Sequence, residues 1–137
     1  MTEPPASPKK ILVIEDSELL HQLYDLVLIR FRHAGARVLH ARNGQEGLDL
    51  LARHPDTDVI LLDIVMPVMD GLEFLRVRRE RHLAEKTPVI LCTTKGREED
   101  IRRGLAEGAD AYLTKPIQPA EVAAEIQRLL APRAGKG

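Results

Sequence analysis

"VILLDIVMPVMDG", residues 59 to 71, runs four apolar residues into Asp63 and then closes on Pro67, Asp70 and Gly71. A strand that is apolar at successive positions, not alternate ones, has both faces covered, the pattern of a parallel sheet lying between two layers of helices. The same pattern recurs at ILVI (11–14) and VILC (89–92), with companions at RVLHA (37–41) and AYLT (111–114). Helical periodicity fills the gaps at about 17–33, 44–53, 71–82, 97–107 and 119–130, and Gly35, Pro55, Pro88 and Gly108 supply turn signals. Five strands alternating with helices predict an α/β fold: a doubly wound, five-stranded parallel sheet with helices on both faces.

A length of 137 residues with 44% apolar side chains suits one domain, expected over 9–131, with loose tails at 1–8 and 132–137. Twenty basic against twenty-one acidic side chains leave a net charge of −1, so neither nucleic acid nor an anionic membrane surface is an expected partner. The single Cys92 cannot form an internal disulfide. The start has no apolar core of a signal peptide, and no stretch approaches a membrane span. A cytoplasmic protein is the expectation.

In open parallel sheets ligands bind beyond the carboxyl ends of the strands. Strand one there delivers Glu15 and Asp16, strand three Asp63, strand four Thr93 and Thr94, and strand five Thr114 and Lys115. Three carboxylates at one edge repel one another unless a cation intervenes. Mg²⁺ matches an oxygen-only set that leaves room for phosphate. Lys115 would hold a phosphate oxygen, Thr93 would donate to another, and Asp63 is placed to attack phosphorus and form an acyl phosphate. The plain alternative for Glu15 and Asp16 is capping of the helix that begins near Glu18, shared with Ser17.

Glu15 and Asp16 after strand one, Asp63 in LLDIVMPVMDG, Thr93 in VILCTT, Tyr112 in GADAYLTKPI, and Lys115 followed by Pro116 resemble the receiver domain of bacterial response regulators, CheY-like and here of a stand-alone type. The resemblance spans Lys10 to Leu130. It implies a flavodoxin-like sheet of strand order 2-1-3-4-5 and a role in two-component signalling, in which Asp63 accepts a phosphoryl group from a histidine kinase or a histidine phosphotransfer protein. It further implies Mg²⁺ held by Asp16, Asp63 and the backbone carbonyl of Val65, with Glu15 acting mainly through water. Lys115 would pair with the phosphoryl group, Thr93 and Tyr112 would act as a coupled switch, and the Lys115–Pro116 bond would be cis. Output would pass to a protein partner over the surface from about Glu98 to Gln127, from a monomer or weak dimer. A phosphohydrolase of the haloacid dehalogenase type is disfavoured, because Val65 stands where those enzymes carry a second aspartate, and a nucleotide-binding enzyme of similar sandwich shape is disfavoured because no glycine-rich phosphate loop follows strand one.

Three further expectations concern surfaces. Helix 17–33 carries an apolar arc of about 200°, wider than a core-facing helix needs, and the surplus at Leu19, Leu26 or Leu28 is a candidate docking margin for the phosphodonor. Arg76, Arg78, Arg79 and Arg81 read as a solvated face. His21, His33, His40, His54 and His82 look scattered, with no cluster among them.

Overall fold

The computed structural model describes residues 7–130; residues 132–137 and most of the expected N-terminal tail lie outside that range. Five strands, β1 (Lys10–Ile14), β2 (Arg37–Ala41), β3 (Val59–Asp63), β4 (Val89–Thr93) and β5 (Ala111–Thr114), form one parallel sheet in the order β2-β1-β3-β4-β5. Between and after them run α1 (Glu18–Val27), α2 (Ile29–His33), α3 (Gly44–Arg53), α4 (Gly71–Glu80), α5 (Glu98–Ala106) and α6 (Pro119–Leu130).

The pleat sorts consecutive apolar residues onto opposite faces. Ile11, Val13, Val59, Leu61, Ile90 and Cys92 face α1, α2 and α6, where Tyr24, Leu28, Phe31, Val122 and Ile126 meet them. Leu12, Ile14, Ile60, Leu62, Val89 and Leu91 face the other way, toward Leu48, Leu51, Phe74 and Leu75 of α3 and α4. The unbroken apolarity of the central strands is thus accounted for by two cores, one on each side. α5 is lightly seated, with Gly104 its only buried residue.

The loop after β3 explains the second half of the opening stretch. Asp70 caps α4 by accepting from the Glu73 N–H at 2.9 Å, and the Gly71 N–H donates to the Ile64 carbonyl at 2.8 Å, closing the chain back onto the strand. A Cβ on Gly71 would stand 2.4 Å from the Asp63 carbonyl oxygen and 2.9 Å from Ile64 Cα, so no other residue fits without backbone movement. Gly71→Ala is expected to cost about 1 to 3 kcal/mol in urea unfolding, the ordinary penalty of overpacking; unchanged stability would show that the loop yields freely.

Two expectations are corrected. The first helix is broken at Leu28, whose φ of −96° and ψ of 12° leave the helical region, so α1 ends at Val27 and a separate turn, α2, begins at Ile29. Leu28 itself is fully buried, at helical spacing from Tyr24 and Phe31 on the core face, which removes it from the exposed margin, while Leu19 and Leu26 stay 73% and 65% exposed. Arg78 does not belong to a solvated face: it is buried, and its guanidinium donates to the carbonyls of Leu83 (3.0 Å), Ala84 and Thr87 (2.6 Å). The chain leaving α4 passes through left-handed conformations at His82 and Ala84, and this turn aims its carbonyls at one cation. Burying a guanidinium is tolerable when its donors are satisfied in this way.

Candidate functional site

The carboxyl ends of β1, β3, β4 and β5 meet at one edge of the sheet, and the strand-end residues are brought together there. Ligand oxygens of Glu15, Asp16 and Asp63 lie within 4.8 Å of one another. Glu15 and Asp63 are buried and Asp16 is exposed. Lys115 Nζ reaches between the two buried carboxylates, 3.2 Å from Glu15 Oε1 and 3.3 Å from Asp63 Oδ1. The capping alternative for the acidic pair is resolved by Ser17, whose hydroxyl accepts the Leu20 N–H at 3.2 Å as the cap of α1. Glu15 instead accepts the Ser17 N–H at 3.0 Å, which turns its carboxylate toward the cluster.

The electrostatics follow from this crowding. Burial, then the neighbouring Asp63 carboxylate, pushes the Glu15 carboxyl above its ordinary range, outweighing the Ser17 N–H and Lys115. Burial likewise raises Asp63, although the Lys115 ammonium pulls against it. Burial alone would lower the Lys115 ammonium, but Asp63 and Glu15 together hold it above its usual value. The site therefore carries more negative charge than one lysine neutralises, and its all-oxygen donors suit a hard divalent cation.

The remaining residues frame the cluster. Thr93, at the end of β4, is buried, and its carbonyl accepts the Lys115 N–H at 2.7 Å. Tyr112 on β5 is 48% exposed, and the Lys115–Pro116 bond is cis. Val65, Val68, Thr94 and Lys95 are exposed around the edge. Below it, Cys92 pairs in register with Asp63, and full burial raises its thiol to about 12.

One group escaped the sequence reading. His21 and His40, expected to be unrelated, place their Nδ1 atoms 2.5 Å apart, and His40 Nε2 lies 2.9 Å from Asp25. His21 and Asp25 share a face of α1, but His40 comes from β2, and only the fold joins them.

Comparison with known proteins places these features. The response regulator receiver domain family matches residues 11–127. This chain belongs to that family. A chemotaxis protein CheY homolog of Campylobacter jejuni is 32% identical over 128 residues, covering 93% of this chain and 97% of the relative. The transcriptional regulatory protein CpxR of Escherichia coli is 38% identical over 122 residues, covering 89% of this chain and 49% of that longer protein. Among solved structures, the receiver domain of the sensor histidine kinase PA1611 of Pseudomonas aeruginosa, which has a magnesium ion coordinated in its active-site cleft, superposes with a TM-score of 0.79 at 28% identity, covering 92% of this chain and all of that one. CheY4 of Vibrio cholerae gives 0.74 at 34% identity, over 88% and 98%. Receivers of this family thus occur both in response regulators and in histidine kinases, and the strand order read here is theirs.

Proposed function

We propose that this receiver accepts a phosphoryl group on Asp63 from a phosphohistidine of a kinase or phosphotransfer protein, and that the domain comprises residues 9–131. The observation that carries the reading is the placement of Lys115 Nζ between Glu15 and Asp63, within 3.3 Å of each. It leaves Asp63 a nucleophile with a cation beside it and two further carboxylates at hand. An oxygen of Asp63 attacks phosphorus, the phosphorus–nitrogen bond to the donor breaks, and the leaving imidazole takes up a proton. Lys115 holds an oxygen of the incoming group by a charge-assisted hydrogen bond, and Thr93 donates to another.

Glu15, Asp16 and Asp63, with the Val65 carbonyl, are the groups that would hold Mg²⁺. Their oxygen-only chemistry and surplus negative charge fit that ion, which when bound neutralises charge on the phosphoryl oxygens. Thr93 and Tyr112 form the proposed switch: the threonine turns toward the phosphoryl group and the exposed ring of Tyr112 moves into the space opened. Carrying such a switch from about 1:99 to 99:1 needs roughly 5.5 kcal/mol of preference for the active state, within reach of three charge-assisted hydrogen bonds at about 1.5 to 3 kcal/mol each. The surface from Glu98 to Gln127 around Tyr112 would pass the change to a protein partner. α5, buried only at Gly104, is the part of that surface least held by packing.

Among the described residues no helix is long and apolar enough to cross a membrane, and we place the protein in the cytoplasm beside its phosphodonor. Leu19, Leu23 and Leu26 are exposed at i, i+4 and i+7 on α1, which starts at the site, and form the surface we assign to that donor. Leu19→Glu is expected to slow transfer from the cognate donor by about tenfold or more, as when an interface anchor is lost, while leaving phosphorylation by acetyl phosphate unchanged. Equal rates from the donor would remove α1 from the docking surface. The reading as a whole is tested by intact mass after incubation with Mg²⁺ and acetyl phosphate: gain of one phosphoryl group is expected, and no gain would overturn it.

A further inference from the structure

The histidine pair beside β1 takes no part in the chemistry above. His21 is buried in α1, and its Nε2 lies 2.5 Å from the carbonyl oxygen of Glu15. Its Nδ1 meets the Nδ1 of His40 on β2 at 2.5 Å, and His40 Nε2 meets the carboxylate of Asp25, one turn further along α1, at 2.9 Å. The two rings cross edge to face, with centroids 4.6 Å apart and planes at 71°.

A proton count fixes the direction of this chain. A carbonyl and a carboxylate only accept, so both Nε2 atoms carry hydrogens. The inner contact joins two ring nitrogens and needs one proton between them, since two lone pairs at that distance would repel. His21 is the buried ring of the two and its Nε2–H is committed to the Glu15 carbonyl, so its Nδ1 is the acceptor toward His40. Asp25 orients His40, His40 donates to His21, and His21 donates to Glu15.

The recipient matters. The Glu15 N–H already donates to the Ala41 carbonyl of β2 at 3.0 Å, so with His21 on its carbonyl the residue is clamped on both sides where strand becomes turn. The clamped carbonyl belongs to the peptide that joins Glu15 to Asp16, from whose two ends the acidic pair projects. We propose that His21, held in one tautomer by His40 and Asp25, is a positioning residue that fixes the Glu15–Asp16 peptide so that both carboxylates face one divalent cation. The inference rests on the metal site proposed above. Partners that orient metal ligands commonly change affinity by about 10- to 100-fold when removed.

Two measurements on the full chain test it. In metal-free protein with ¹⁵N-labelled histidine, long-range ¹H–¹⁵N spectra should show His21 as the Nε2–H tautomer accepting at Nδ1, and a strongly deshielded His40 Nδ1 proton; His21 as the Nδ1–H tautomer overturns the proposal without reference to any metal. In Mg²⁺ calorimetry, repeated with Mn²⁺ by electron paramagnetic resonance, His21→Leu should bind about tenfold more weakly. His21→Gln, whose terminal amide nitrogen lies the same number of bonds from the backbone, should recover most of that loss. Equal affinity in His21→Leu, or an equal loss in both variants, overturns the proposal. If His21→Leu fails to fold, the partly exposed His40→Ala and Asp25→Asn carry the test, and unchanged affinity in both overturns it. A wild type that takes up no Mg²⁺ defeats the proposed function and this inference with it, whereas equal binding by wild type and variants defeats only the inference.

Discussion

Asp63→Asn is expected to abolish the acyl phosphate completely while making the metal-free domain more stable at neutral pH. The first effect is chemical, since an amide oxygen cannot become the bridging atom of a mixed anhydride under these conditions. Intact mass after acetyl phosphate treatment should show the unmodified chain. Persistent gain of a phosphoryl group would move the acceptor elsewhere.

The second effect follows from the raised Glu15 and Asp63 carboxyls. A carboxyl whose folded-state value lies above its unfolded one binds its proton more tightly when folded. It therefore adds stability below the unfolded value, and that contribution is lost as pH rises through the folded one. Where both groups are charged, the folded state bears their repulsion, which the amide relieves. Each kcal/mol relieved raises the melting temperature by roughly 3 to 6 °C in a domain of this size. The advantage of the variant should shrink as pH falls and the wild-type carboxyls take up protons. A variant less stable than wild type both at neutral and at acid pH would show that Asp63 contributes hydrogen bonds worth more than its charge costs.

Lys115→Met should move binding and transfer in opposite directions. The ammonium lies 3.2 Å from Glu15 and 3.3 Å from Asp63, so it competes with a divalent cation for the same oxygens. Removing it leaves the carboxylates less neutralised, and Mg²⁺ should bind more tightly, with calorimetry showing a lower dissociation constant. Phosphorylation by acetyl phosphate should nevertheless slow by about 10² to 10³, the usual consequence of losing a preorganised donor to a developing oxyanion. A parallel loss of both would mean that Lys115 holds the site together structurally.

Much of this was legible in the residues. Continuous apolarity at 59–62 and 89–92 required helices on both faces, and the helices at 44–53 and 119–130 match their expected bounds. The strand-end rule identified Glu15, Asp63, Thr93 and Lys115, because in a parallel sheet position along the chain translates directly into position in space. Features that depend on two elements meeting at an angle did not carry through. Nothing near Leu28 marks the break in the first helix, across which Tyr24, Leu28 and Phe31 keep the helical spacing that buries all three. Arg78 looked like its exposed neighbours, since the carbonyls that satisfy it come from a turn whose path periodicity does not record. His21 and His40 are 19 residues apart, and their contact exists only because β2 lies beside β1.

Cys92 lies under Asp63 with its thiol raised to about 12 and no exposure to solvent. Thiolate, not thiol, is the reactive form, so alkylating reagents pass the native protein by. Labelling at that sulfur must wait for the central strands to separate, which makes the chain its own reporter of global opening. It also leaves the surface free for a dye attached through one engineered cysteine, with no need to remove the native sulfur.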